Sequence, residues 1–245
     1  MTGREVRRFV RYWLTALISP ILTTLLYFAV FGKFLVHNLP SVHHISYIQF
    51  IAPGLIMMTV IYNAYMHTAS SFFSAKFQRH IEEILISPLP DSLMVLSFVL
   101  GGVLRGFVLS LLIGACTVLV IHLHIVNVCL SLLVIVLISL LFSVLGFINA
   151  IFAKRHEVIS FMLLFVITPL TFLGGVFYST SMLPTGWRWV HQVDPVFYLI
   201  NLFRYAALGI SDSALGASLI MVLLLIITAL GLVIFLIKKD VGIRS

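Results

Sequence analysis

Gly106 to Ala153 reads GFVLSLLIGACTVLVIHLHIVNVCLSLLVIVLISLLFSVLGFINAIFA, 48 residues without one Asp, Glu, Lys or Arg. A helix crosses the hydrocarbon layer with about 20 apolar residues, so this stretch holds two crossings. They divide at His122–Asn127, where two histidines and an asparagine fall within six residues. Working outward, further charge-free stretches run over Tyr12–Gly32, Phe34–Ala75, Val158–Trp187 and Ser213–Ile237. Asn38 to Gln49, with His43, His44 and Ser46, is too polar for lipid, which starts the second crossing near Phe50. The pattern predicts an all-α polytopic membrane protein of six transmembrane helices, at 14–36, 50–74, 93–121, 129–152, 159–179 and 214–237, forming one domain over 1–245.

Composition agrees. Hydrophobic residues make up 61% and charged ones 9%, against about 25% charged in soluble domains. A water-soluble enzyme and a disordered chain are both excluded, because too little polar surface exists to coat a body in water. Cys116 and Cys129 lie inside apolar runs, so neither a disulfide framework nor a cysteine-based zinc site is expected. The net charge of +7 is assigned to loops rather than to a nucleic-acid partner, because cytoplasmic loops collect Lys and Arg. With the N-terminus inside, Arg4, Arg7, Arg8, Arg11, Lys76, Arg79, Lys154, Arg155, Lys238, Lys239 and Arg244 are cytoplasmic, eleven of the 15 basic residues. Lys33, Arg188 and Arg204 fall outside, and Arg105 lies within the third span. Both termini are expected in the cytoplasm. The first apolar run is too long for a cleavable signal and is expected to stay.

Three segments are neither span nor plain loop. Over 2–14, Arg4, Arg7, Arg8 and Arg11 form one stripe while Val6, Phe9, Val10 and Trp13 form another, with Thr2 and Glu5 placed for a capping box. This is either a basic flank or a helix in the headgroup layer that also touches a cytoplasmic partner. Over 75–91, Phe77, Ile81, Ile84 and Leu85 repeat at helical spacing among Lys76, Arg79, Glu82 and Glu83, and Pro88 and Pro90 end the helix. A charged, capped helix between two spans suits docking. Over 173–205, a glycine pair, Trp187, Trp189, Asp194-Pro195 and a short apolar run ending at Arg204 suggest one or two half-helices dipping into the outer leaflet. The alternative there is a plain external loop with an apolar patch.

Reaction motifs are absent. The sequence holds no Gly-x-x-x-x-Gly-Lys-Ser/Thr, no His-Glu-x-x-His and no Gly-x-Ser-x-Gly. None of the eight acidic residues lies inside a predicted span, which argues against a proton- or sodium-coupled carrier. His43, His44, His122 and His124 could meet on the outer side, but no cysteine or carboxylate nearby completes a metal set. Arg105, flanked by Gly101, Gly102 and Gly106, either lines a translocation path and meets an anionic group, or snorkels to the cytoplasmic headgroups or pairs with a neighbouring helix's carbonyls. Gly102 and Gly106 make a GxxxG step for close helix approach. Gly146 and Asn149 read as packing residues, and Pro20 and Pro169 as bends.

Several strings, in order, resemble the ABC-2 family of exporter permeases, and within it the bacterial YadH-like inner-membrane permeases. They are Phe-Ile-Ala-Pro-Gly-Leu-Ile-Met-Met (50–58), Ser-Ser-Phe-Phe-Ser-Ala-Lys-Phe-Gln-Arg-His-Ile-Glu-Glu-Ile-Leu (70–85) with its Ser-Pro-Leu-Pro, and Thr-Pro-Leu-Thr-Phe-Leu-Gly-Gly-Val-Phe-Tyr-Ser (168–179). Leu183-Pro184, Asp194-Pro195 and Phe203-Arg204-Tyr205 follow. Asp194 stands where many relatives carry Asn, and the N-terminal arm is slightly short. The resemblance implies six spans, an amphipathic N-terminal helix, a cytoplasmic coupling helix and re-entrant outer helices before the last span. It implies a half-transporter in a bacterial inner membrane: two copies form the path, and a separate ABC-type ATPase subunit binds ATP and Mg, so this chain needs no cofactor of its own. Lys76, Gln78, Arg79, Glu82 and Glu83 would then meet the ATPase. Phe172, Gly174, Gly175, Phe177, Tyr178, Phe197 and Arg204 would form the outer gate. The family exports polysaccharides, glycolipids and drugs, and the aromatic outer segment favours an amphipathic or lipid-linked cargo. Two other classes remain to be weighed: a self-sufficient channel or secondary carrier for amphipathic molecules, and a membrane-embedded enzyme using the outer histidines.

Overall fold

Residues 13–30, 45–78, 90–184, 186 and 188–239 are described by the structure, a computed structural model. The chain folds into helices α1 (Trp13–Ala29), α2 (Tyr47–Phe77), α3 (Asp91–Ile121), α4 (Val128–Phe152), α5 (His156–Leu173), α6 (Arg188–Val193), α7 (Pro195–Leu208) and α8 (Leu215–Lys238). Five of them, α2, α3, α4, α5 and α8, are long and apolar enough to cross a membrane. The crossing expected over 14–36 corresponds to α1, whose 17 residues span about 26 Å at 1.5 Å per residue; 31–36 lie outside the described residues. So do 2–12 of the expected amphipathic helix and 79–89 of the expected coupling helix.

Local chemistry sets the ends. Pro90 precedes α3, where its missing N–H costs nothing. His122 ends that helix in the left-handed region at φ 54°. Asn127 then starts α4, its side-chain oxygen accepting from Leu130 N at 3.0 Å. The break at His122–Asn127 is therefore where the sequence places it. In α5 the five residues Leu163–Ile167 form a π turn just before Pro169, which can neither donate to the preceding turn nor fit against it. Thr168 Oγ1 donates to the Leu163 carbonyl at 2.9 Å, which also accepts from the Thr168 N–H. The expected span at 159–179 is thus displaced: the helix runs from His156 to Leu173 and the chain turns at Gly174. Glu157 falls in its first turn, where a negative charge suits the helix dipole.

The core lies on α2, which packs along both α3 and α4. Small residues permit the approach. A Cβ at Gly102 would strike Thr68 Oγ1, Ser143 Oγ and the Ala64 carbonyl, and one at Gly106 would meet Ser139 Oγ at 2.7 Å. A Cβ at Gly146 would strike the Tyr65 carbonyl, while Asn149 hydrogen-bonds the Tyr65 hydroxyl. The expected packing roles of all four residues hold. At the expected outer end the strap after α3 docks on α7: Val126 N and Asn127 N donate to the carbonyls of Ala207 and Ala206, satisfying acceptors that a helix end leaves open.

Candidate functional site

Along most of its length α2 is buried, but Met58, Thr59, Tyr62, Asn63, Met66, Ser70 and Ser74 form a partly open stripe at helical spacing. Against its upper half lies α1, and between them is a cavity of about 280 Å³ lined by Pro20, Thr23, Thr24 and Tyr27 of α1 and Leu55, Met58, Thr59, Tyr62 and Asn63 of α2. No charged side chain lines it. Its hydroxyls are tied: Thr24 to the Pro20 carbonyl at 2.9 Å and Thr59 to the Leu55 carbonyl at 3.0 Å within their own helices, and Tyr62 to Thr171 of α5 at 3.0 Å across the bundle. Such bonds make hydroxyls cheap to hold at membrane depth while leaving oxygen lone pairs on show. Residue-by-residue reading of the sequence missed this site. The signal was there in Thr59, Asn63, Ser70 and Ser74, spaced so as to share one side of an otherwise apolar helix.

Arg105 sits 14 residues into the 31-residue α3, about 21 Å from its start, and is half-buried. Its Nη1 lies 3.3 Å from His67 Nδ1 on α2, one turn below Asn63. The guanidinium is therefore held by a side chain rather than by a neighbouring carbonyl. Its Nε is buried with no acceptor among the described residues.

At the other expected site the chain between α5 and α8 closes on itself. Gly175 turns with φ 80°, a conformation that favours glycine, and its carbonyl accepts from Arg204 Nη2 at 2.7 Å. Arg204 is 0% exposed. Its guanidinium lies 4.0 Å above the Phe50 ring and 3.7 Å from Asp212. Asp212 accepts from Ser179 Oγ at 2.9 Å and Thr180 N at 3.4 Å, and its own N–H donates to Asn201 at 2.8 Å. Asn201 in turn bonds Ser211 at 3.0 Å and Ser213 at 2.6 Å. One charge pair thus ties α7, the start of α2, the turn after α5 and the approach to α8.

The other expected gate residues gather around this knot. Phe172 stacks on Phe177 at 5.3 Å, and Phe177 lies 5.9 Å from Tyr27 of α1. Tyr47 donates to the Phe177 carbonyl at 2.7 Å and Tyr178 to the Leu173 carbonyl at 2.8 Å. A Cβ on Gly174 would press on Phe197 N at 3.1 Å. Asp194 caps α7, accepting from Val196 N at 2.8 Å. Burial lifts its carboxyl to about 6, with backbone bonds from Val196 and Phe197 opposing the rise; burial and the Asp194 charge together push the Tyr178 hydroxyl up. Arg204, expected on the outer side, is enclosed by protein. Asp212, Asn201, Ser179 and Phe50 were not singled out in advance. The signal that could have found the first is chemical, since an arginine inside an apolar 14-residue helix requires an acid within reach.

Of the residues expected to meet an ATPase, Lys76 and Gln78 lie at the C-terminal end of α2. The Lys76 ammonium donates to the Ile151 carbonyl at 2.9 Å, capping α4. Gln78 closes α2 through its backbone N–H. Arg79, Glu82 and Glu83 are outside the described residues.

The family model for ABC-2 type transporters matches residues 1–208. The chain belongs to the ABC-2 type transporter family. Among its relatives is the inner membrane transport permease YadH of Escherichia coli K12, 43% identical over 244 residues, covering 99% of this chain and 95% of the relative. The YadH permeases of Escherichia coli O157:H7 and Shigella flexneri match to the same extent. In this ABC-2 chain the polar α1/α2 cavity, the Arg105–His67 pair and the Arg204–Asp212 knot are thus features of a transport permease.

Proposed function

We propose that the chain is the membrane subunit of an ATP-driven exporter in a bacterial inner membrane, with both termini cytoplasmic, working as two copies on a separate ABC-type ATPase. The observation that carries this reading is the α1/α2 stripe: hydroxyl, phenol and amide groups collected on one side of an apolar bundle, bonded within it and still offering oxygen lone pairs to the cavity between the two helices. Leu22 and Leu26 of α1 and Phe161, Leu164 and Phe165 of α5 are exposed beside it, which supplies an apolar rim for a second copy. The absence of a phosphate-cradling motif assigns ATP and Mg to the partner, and the family match supports that division of labour. The segment 75–91, with Gln78, Arg79, Glu82 and Glu83, is the contact for that partner, and complementary charge would fix its register. The knot at Arg204, with Phe172, Gly174, Gly175, Phe177, Tyr178 and Phe197, is the outer gate.

Co-reconstitution with the cognate ATPase tests the reading. Glu82→Lys with Glu83→Lys is expected to leave the permease in the membrane while cargo-stimulated ATP hydrolysis falls by roughly tenfold or more, the size of losing one or two charge contacts. Unchanged stimulation rejects the docking segment. Cargo movement by the isolated chain under an ion gradient alone would return the self-sufficient carrier.

A further inference from the structure

Resting on the reading of the α2 stripe as the path, we infer that Arg105 and His67 form an anion seat within it, which takes the phosphate ester of an amphiphile. The stripe supplies neutral oxygen and amide groups through Thr59, Tyr62 and Asn63, and beside it, one turn on from Asn63, the buried His67 meets the guanidinium of the half-buried Arg105. Of the other cations among the described residues, Arg204 pairs with Asp212, Lys76 caps α4, Lys239 lies over the Phe235 ring, and Lys154, Arg155 and Lys238 are exposed. Arg105 is different. It lies near the middle of a 31-residue helix, and no Asp or Glu occurs in the chain between Asp91 and Glu157 or within α2.

Its contact is an imidazole nitrogen, which offsets no charge, and its Nε keeps a proton with no acceptor among the described residues. A cation so placed is stabilised by an anion supplied from outside the chain. Guanidinium nitrogens match the oxygens of phosphate, and a charge-assisted contact of this kind is about twice as strong as a neutral one. The close seam at Gly102 and Gly106 brings α3 near enough to α2 for the two side chains to act together. The ligand class follows from the whole stripe: hydroxyl-bearing or otherwise polar next to Asn63, phosphate-bearing at Arg105, and apolar toward the lipid. A bilayer phospholipid and a lipid-linked cargo share that chemistry.

The test uses the full-length permease in dodecyl maltoside, titrated with dodecyl phosphate and with dodecyl glucoside. Wild type is expected to bind both. Arg105→Met should weaken dodecyl phosphate by roughly 10- to 100-fold, the equivalent of one charged hydrogen bond, and leave dodecyl glucoside unchanged. Arg105→Lys should retain most of the phosphate affinity, which keeps the result apart from a folding defect. Competition by dioleoylphosphatidylglycerol identifies the resident as membrane lipid; failure to compete assigns the phosphate to cargo. Equal dodecyl phosphate affinity in wild type and Arg105→Met, or parallel loss of both ligands in that variant, overturns the seat. Asn63→Leu separates the two readings: if it leaves glucoside binding intact while Arg105→Met still removes phosphate binding, the stripe is not the path and the seat stands.

Discussion

Arg204 and Asp194 are both buried, and their surroundings give them opposite behaviour. Arg204 is held by Gly175, Phe50 and Asp212 together, so removing its counter-charge leaves a buried guanidinium uncompensated. Asp212→Ala is expected to destabilise the protein by about 3–5 kcal/mol, read by thermal unfolding in detergent. The double variant Arg204→Met with Asp212→Ala should recover at least half of that loss; if the double variant is as unstable as the sum of the two singles, the pair is not the source. Asp194 has an acceptor oxygen bonded to Val196 N and a second oxygen buried without a partner among the described residues. Its carboxyl, lifted to about 6 by burial, sits above the unfolded value of about 3.9. The native state therefore holds the extra proton, so this contribution to stability is complete below about pH 4 and lost as the pH rises through about 6. Asp194→Asn keeps the cap and removes the titration. Its melting temperature should stay flat across that window while the wild-type value falls, leaving the variant more stable by about 1–2 kcal/mol at neutral pH. Parallel curves would clear Asp194 of the effect.

Helix contacts, rather than helix propensities, hold the bundle, and glycines mark where those contacts are closest. Gly146 faces the Tyr65 backbone with no room for a methyl group, whereas a Cβ at Gly114 meets nothing within 4 Å. Gly146→Ala should cost about 1–3 kcal/mol by forcing α4 off α2. Gly114→Ala should be neutral or stabilising by up to about 1 kcal/mol, because alanine is the better helix former and the space is open. Equal effects at the two positions would show that approach distance does not govern this seam. The π turn of α5 belongs to the same scale: Pro169 cannot donate to the ladder, and just before it the N–H and the hydroxyl of Thr168 both donate to the Leu163 carbonyl.

At the scale of the whole molecule, α2 and α7 are the most enclosed, α4 is half-buried, and α1, α3, α5 and α8 show long apolar faces. Lipid can cover such faces, and so can a second copy. The proposed second copy would cover the α1 side, next to the cavity between α1 and α2, and lipid would surround α8. With Cys116 and Cys129 replaced by serine, Leu22→Cys is expected to form an oxidised dimer in native membranes, and Ile227→Cys on α8, 69% exposed, is not. A dimer through position 227 alone would move the contact to the other side of the bundle.

Membrane class, the break at His122–Asn127 and the existence of five long apolar helices were readable along the chain, because each depends on local hydropathy and backbone chemistry. The family resemblance named Phe172, Gly175, Phe177 and Arg204 together, and in the structure Arg204 meets Gly175 while Phe172 stacks on Phe177. Tertiary structure alone decided which acid meets Arg204, that His67 meets Arg105, and that Thr23, Tyr27, Thr59 and Asn63 share one cavity. These pairings join residues far apart on different helices or, for Asp212, on the connection between α7 and α8, and a membrane helix has no aqueous face by which periodicity can announce its partner. In lipid, apolar surface covers lipid-facing and protein-facing sides alike, so only the packing of α1, α2, α3 and α7 tells polar contact from polar accident.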